Sequence, residues 1–350
     1  MQFASDNSSG AHPAVIDAIV RANEGFTPSY GADPAMDRVR ERIRDVFEAP
    51  DAAVYLVATG TAANAVSLSA VCSPWSAVYC HRHSHIMEDE CGAPEFYTGG
   101  AKLVPIYGEA AKMDPACLSE TLRAAVHVGV HNVQRGAVSI TNVTEMGAVY
   151  GADEVAGLCA IAREWNLPCH MDGARLANAL AATDSSPAEM TWKAGIDVLS
   201  LGGTKNGLIG AEAVVIFDPG KSWEFELRRK RGGHLLSKHR YLSAQMLAYL
   251  EDGLWLRLAR TANAAGARLA RGIAAIDGAS LVGPADANMV FAVLPRSAHR
   301  RALDAGAVYY PWPGAWREDG PDDQPLCARM VCSWCTSDAE VDRLLDVFGN

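Results

Sequence analysis

The stretch Ile196-Asp-Val-Leu-Ser-Leu-Gly-Gly-Thr-Lys-Asn-Gly-Leu208 starts as an apolar run and breaks into two glycines, a threonine, one lysine and a third glycine. A short apolar run closed by glycine reads as a buried strand of the kind parallel sheets are built from. Lys205 then sits just past a strand end, among side chains too small to crowd a ligand. Most loop lysines are solvated or structural cations. The alternative is a nucleophile, because burial lowers the pKa of a lysine and frees its amine. This stretch alone leaves both open.

Working outward, His170-Met-Asp-Gly-Ala-Arg175 closes another apolar run, and ligands of open α/β sheets collect at such strand ends. Asp172 there either pairs with Arg175 to pin a turn or holds a ring nitrogen protonated, as the pyridine of pyridoxal phosphate requires. Further upstream, Thr59-Gly-Thr-Ala-Ala-Asn64 is a glycine-containing turn leading into a helix. The free N–H groups of a helix N-terminus bind phosphate, although many helices begin this way. A turn for a phosphate, an acid for a ring nitrogen and a lysine for an aldehyde are together far more specific than any one of them. Cys80-His-Arg-His-Ser-His85 sets three histidines at alternate positions. Metal binding would need carboxylates or thiols at matching spacing, so the favoured reading is one imidazole stacked on the cofactor ring and no metal.

The remaining pattern alternates. Helices are expected over 14–24, 35–48, 61–71, 114–126 and 153–166. Strands are expected over 53–57, 76–80, 102–107, 136–143, 167–172, 196–202 and 212–217, an α/β layer with a largely parallel sheet. Beyond residue 220 a long helical region spans 238–274, with a break near Gly253. Short strands at 287–295, 307–310 and 328–334 and helices at 298–304 and 338–348 suggest a smaller α+β domain. The expected division is 1–250 and 251–350, with 312–325 as an irregular loop.

Of 350 residues 49% are hydrophobic and 21% charged, ordinary for a globular chain long enough for two domains. A formal net charge of −10 argues against a general nucleic-acid binder. The basic run Arg228-Arg-Lys-Arg231 lacks interleaved aromatics and reads as a solvated helix end. Nine cysteines without a dense framework favour free thiols in a reducing compartment, and Cys332-Ser-Trp-Cys335 reads as a buried pair in a strand. The uncharged stretch 52–80 is interrupted by Thr59, Gly60, Thr61 and Asn64, which suits a strand, turn and buried helix better than a membrane span. With no signal pattern at the N-terminus, the expectation is a cytoplasmic protein.

From Ser5-Asp6 through Tyr30-Gly31, Thr59-Gly-Thr61, His85, Asp172-Gly-Ala-Arg175 and Lys205 to Arg329, the chain resembles the low-specificity L-threonine aldolases. These belong to the aspartate-aminotransferase-like fold type I of pyridoxal phosphate enzymes, with a mostly parallel seven-stranded sheet and a small C-terminal α+β domain. Asp89-Glu-Cys-Gly-Ala-Pro-Glu-Phe96 and Gly202-Gly-Thr-Lys-Asn-Gly207 are similar to the branch that includes phenylserine aldolases. The resemblance implies Lys205 as the Schiff-base lysine, Asp172 on the pyridine nitrogen and His85 stacked on the ring. Thr59, Gly60 and Thr61 would hold the phosphate, Arg175 the phenolic-oxygen side, and Lys238 would reach the phosphate of a neighbouring subunit. Ser5, Tyr30, Arg175 and Arg329 would meet the substrate. Where threonine-type relatives carry a Thr-His-Asn segment, this chain has Thr144-Glu-Met-Gly147, so Glu145 takes the histidine's place and threonine as preferred substrate comes into question.

The implied activity is retro-aldol cleavage of a β-hydroxy-α-amino acid (threonine, allo-threonine or phenylserine type) to glycine and an aldehyde. The assembly would be a homo-oligomer, a dimer of dimers with the site at a subunit interface. A β-eliminating lyase or transaminase of the same fold is the alternative within the class. A non-catalytic binding protein is the alternative outside it, and the presence of both Lys205 and Asp172 counts against that.

Overall fold

Two apolar patterns of different period set the architecture, and the computed structural model describes residues 1–125, 129–317 and 319–349. After α1 (Pro13–Ala22) and α2 (Pro34–Val46) the chain builds β1 (Ala53–Val57), α3 (Gly60–Val71) and β2 (Ser76–His81). Two short helices follow, α4 (His85–Glu88) and α5 (Ala93–Thr98), then β3 (Lys102–Ile106), α6 (Pro115–Ala124) and β4 (Gln134–Thr141). Next come α7 (Ala152–Arg163), β5 (Cys169–Gly173), α8 (Leu176–Thr183) and α9 (Pro187–Met190). The layer closes with β6 (Val198–Leu201), β7 (Glu212–Ile216), α10 (Ser222–Arg231) and α11 (Arg240–Leu250). The expected helix over 114–126 ends at a residue, Val126, that lies outside the described residues.

The seven strands order as β1-β7-β6-β5-β4-β2-β3. Strands β3, β2, β4, β5 and β6 run parallel, while β7 is antiparallel to both β6 and β1. All residues of β2, β5, β6 and β7 are buried, as expected for strands covered by helices on both faces. Helix α3 is buried along nearly its whole length, which is why the stretch around it needs no charged face. In register, Asp172 lies between Thr141 and Ser200, so the carboxyl ends of β4, β5 and β6 are side by side. The reversal at β7 has a local consequence. A parallel successor to β6 would need a long crossover, whereas Leu201 returns to Glu212 at the same end of the sheet. Lys205 occupies that return.

The second layer hangs on α12 (Leu254–Ala274), separated from α11 by a turn at Glu251–Gly253. It comprises β8 (Ser280–Leu281), β9 (Met289–Pro295), α13 (Arg296–Asp304), β10 (Tyr310–Pro311), β11 (Pro325–Val331) and α14 (Asp338–Gly349), in the sheet order β10-β11-β9-β8. Its core includes Phe3 from the other end of the chain. Gln2 bridges to Val308, the Phe3 N–H donates to Val308 O at 2.8 Å, and the Val331 N–H donates to Phe3 O at 2.8 Å.

Three expectations need correction. The last strand occupies 325–331, not 328–334, so of the CxxC pair Cys332 is buried but Cys335 is exposed beyond the strand. The strand expected over 307–310 is only Tyr310–Pro311. The basic run ends α10, yet Arg229 is buried over the Tyr55 ring and donates to Leu56 O at 3.2 Å. All nine cysteines are free. Among the described residues no helix is long and apolar enough to cross a membrane.

Candidate active site

Two cavities meet at the carboxyl ends of the strands. The inner one, about 360 Å³, is lined by Thr59, Gly60 and Thr61 at one end and by Asp172, His85 and Lys205 elsewhere. The outer one, about 290 Å³, is lined by Ser5, Glu145, Arg175, Arg329 and Trp312. Asn7, His85 and Lys205 border both.

At the inner end, Thr59 caps α3, its Oγ1 accepting from Ala62 N–H at 3.1 Å. The N–H groups of Gly60 and Thr61 have no partner within the helix, which leaves donors and a positive helix end for a phosphate. Asp172 is buried at the end of β5. Its Oδ2 accepts from Asn64 Nδ2 at 3.0 Å and its Oδ1 from Ala174 N–H at 3.0 Å, so the carboxylate is fixed and Arg175 is not its partner. Among the described residues the Lys205 side chain has no hydrogen bond or ion pair, while the loop that carries it is heavily tied. Glu212, fully buried, accepts from Gly203 N–H and from the Thr204 hydroxyl. Asn206 donates to Tyr249 Oη and Trp255 O at 2.8 Å each. Burial pushes the Glu212 carboxyl up to about 6 against the opposing pull of these donors and of Lys205.

Glycine is required at 202. A Cβ there would fall 2.2 Å from Ala174 O, so the loop after β5 and the loop after β6 touch backbone to backbone. That contact holds Asp172 and Lys205 around one cavity.

The three histidines part company. His81 is buried against Gly108 O at 3.2 Å, and His83 faces Glu88 at 3.0 Å. His85 faces both cavities, with Nδ1 2.9 Å from Glu90 Oε1. The hydrogen bond from Glu90 raises the proton affinity of His85 in spite of burial. Among the described residues no three His, Cys, Asp or Glu side chains converge as a metal site.

In the outer cavity Arg175 makes a two-pronged pair with Asp6, Nε–Oδ2 at 2.7 Å and Nη2–Oδ1 at 2.9 Å, with both side chains almost fully buried. Burial would raise the Asp6 carboxyl, but the guanidinium outweighs it and holds the pKa low. Arg329 is half-buried and, among the described residues, no carboxylate forms an ion pair with it. Burial, and then Arg175 beside it, lower its pKa. The Ser5 hydroxyl accepts from Asn7 N–H at 3.1 Å. Glu145 is half-buried and lines only this cavity. Tyr30 and Lys238 line neither. Both are exposed, Tyr30 with Lys230 Nζ 4.4 Å over its ring and its N–H on Ser237 O. Sequence reading missed Asn7, Asp6 as the partner of Arg175, and the set Asn64, Glu90 and Glu212.

These residues fit pyridoxal phosphate. There is a helix start with free Gly60 and Thr61 N–H groups for its phosphate, an anchored carboxylate for its ring nitrogen, an imidazole and an amine, in a space of the size small ligands occupy. Fold and site together define an enzyme of the pyridoxal-phosphate-dependent fold type I class. The chain belongs to the beta-eliminating lyase family, whose model matches residues 2–296. It is 40% identical over 343 residues to the low specificity L-threonine aldolase of Pseudomonas sp. (strain NCIMB 10558), covering 98% of this chain and 95% of that one. The Pseudomonas aeruginosa low specificity L-threonine aldolase is 39% identical over 346 residues, 99% of this chain and 95% of its own. A solved Leishmania major threonine aldolase superposes with a TM-score of 0.91 at 29% identity, covering 99% of this chain and 98% of that one.

Proposed function

We propose that the protein is a pyridoxal-phosphate-dependent aldolase that cleaves β-hydroxy-α-amino acids of the threonine, allo-threonine or phenylserine type to glycine and an aldehyde. The observation that carries this is the pair of cavities joined at Lys205 and His85, with the half-buried guanidinium of Arg329, in no ion pair among the described residues, lining the outer one. When bound, the cofactor supplies a carbonyl for an amine and an electron sink for the pair released at Cα. Lys205 supplies the amine that tethers it. Asp172 keeps the ring nitrogen protonated, and the α3 N-terminus anchors the phosphate. Arg329, with Ser5 beside it, grips the substrate carboxylate and so fixes the direction of the Cα–Cβ bond, positioning worth several kcal/mol. The β-hydroxyl proton passes to a base, His85 at the cavity junction or Glu145 in the outer cavity, as that bond breaks.

Incubation with threonine, allo-threonine and phenylserine tests the reading. Equal amounts of glycine and acetaldehyde, or of glycine and benzaldehyde, are expected. Ammonia with a keto acid would instead mean β-elimination, and a keto acid with an aminated cofactor would mean transamination.

A homo-oligomer, a dimer of dimers, accompanies this reading. Tyr30 and Lys238 lie together on the surface, and a role for them at a site requires a second copy. A cytoplasmic location is supported by the nine free thiols.

A further inference from the structure

The base for the β-hydroxyl proton can be chosen on geometry. Glu90 follows α4, its side chain fully buried, and it performs no role in the scheme above. Its Oε1 faces His85 Nδ1 at 2.9 Å and accepts from Asn64 Nδ2 at 2.9 Å. That same amide nitrogen donates to Asp172 at 3.0 Å. One amide group therefore clamps two carboxylates, and one of them grips the imidazole. Burial raises the Glu90 carboxyl against the pull of His85 and Asn64, but Oε1 already accepts from Asn64; an oxygen so held accepts from the ring as well, which puts the ring proton on Nδ1 and leaves Nε2 with its lone pair. Among the described residues no other group engages Nε2, and His85 borders both cavities, where a Cα–Cβ bond would lie. Glu145 borders only the outer cavity, and among the described residues no hydrogen bond or ion pair holds its carboxylate.

We propose that Glu90 is a positioning residue that fixes His85 as the Nδ1–H tautomer, making Nε2 the acceptor of the β-hydroxyl proton and leaving Glu145 outside that transfer. The inference rests on the aldolase reading. In the transfer the O–H bond breaks, its proton goes to Nε2, and the oxygen's electron pair forms the aldehyde C=O as the Cα–Cβ pair departs to Cα. Proton balance is restored when the imidazolium releases that proton.

The groups facing His85 are Glu90 on its own segment, Asp172 at the end of β5, Glu145 after β4 and Lys205 after β6. Glu88 and Asp89 share the outer cavity, and Glu88 is turned to His83. Glu90 dominates, and it tightens the hold of the imidazole on a proton. A base so paired is stronger but is freed only at higher pH.

The experiment uses the holoenzyme with phenylserine and measures kcat/KM against pH for the parent, Glu90→Gln, Glu90→Asp and Glu145→Gln. In parallel, histidine-labelled samples give the His85 ring titration by NMR, assigned from its loss in His85→Asn. Glu90→Gln keeps an acceptor but removes the charge. Its acid limb should fall by about one pH unit or more, with the high-pH plateau down roughly threefold, and the ring titration should fall with it. Glu90→Asp should stay nearer the parent. Glu145→Gln should change the rate but leave the limb in place. An unmoved limb in Glu90→Gln, an equal shift in Glu90→Asp, or an acid limb lost in Glu145→Gln would each overturn the proposal. If Glu90→Gln does not fold, a parent His85 titrating at or below an ordinary histidine overturns it too. Absence of any aldehyde from the parent would strike the aldolase reading instead.

Discussion

Arg329 shows how much one side chain commits this molecule to an anionic ligand. A half-buried guanidinium with no ion pair among the described residues, and only the more distant Glu145 and Asp6 to offset its lost hydration, is poised for a carboxylate. A hydrogen-bonded contact to a charged group is worth about 1.5–3 kcal/mol. Arg329→Leu should therefore raise KM for the amino acid by about ten- to a hundredfold, while cofactor affinity, measured by absorbance titration, stays within about threefold. A change in cofactor affinity of the same size as that in KM would assign Arg329 to the fold rather than to the substrate. At this scale the sequence was partly legible. Lys205 and Asp172 were found because lysine and aspartate are conspicuous at the ends of apolar runs. Asp6, 169 positions from Arg175, and Glu90, 26 from Asn64, gave no such sign. Their roles come from partners that only folding brings near.

Among the elements, the return from β6 to β7 decides the site. Gly202→Ala would place a methyl within 2.2 Å of Ala174 O, and the backbone must move because neither neighbour is a flexible side chain. We expect a stability loss of about 1–3 kcal/mol or more and weaker cofactor retention than this loss explains, because Lys205 and Asp172 separate. Dialysis followed by absorbance measures the second effect, and retention equal to the parent would show that the two loops are not coupled. Glu212 in the same return has a folded pKa of about 6 against an ordinary 4.5, so the folded state binds its proton more tightly. Its contribution to stability is full below about 4.5 and is lost as pH rises through about 6. Relative to the parent, Glu212→Gln should gain up to about 2 kcal/mol across that window in denaturant titrations at pH 4.5 and 7. A constant difference would refute the assignment. Burial patterns predicted β7 as a strand but not its direction, since a strand covered on both faces reads the same either way. The two-residue strands β8 and β10 are too short to carry a period at all.

For the whole molecule, the division into a large α/β layer and a smaller α+β layer was legible from the change of pattern after residue 220. The embedding of Phe3 in the far layer was not, because three residues show no periodicity. If Lys238 serves the cavity of a second copy, two defective proteins should complement one another. Mixing Lys205→Ala with Lys238→Ala, each nearly inactive, through mild dissociation and reassociation should recover up to about a quarter of parental activity per site, by random pairing in a symmetric dimer. No recovery would exclude Lys238 from the neighbour's cavity. The chain's opening segment adds a constraint of timing. The long-range hydrogen-bonding partners of residues 2–6 lie far downstream, at Arg175 for Asp6 and then at 288, 308 and 331. Phe3 must therefore wait for its backbone partners until residue 331 has been translated. A ribosome-stalled chain ending before residue 288 would carry Lys205 and Asp172 but lack the Asn288 hydrogen bond that anchors Asp6, so competence should arrive late and abruptly during synthesis.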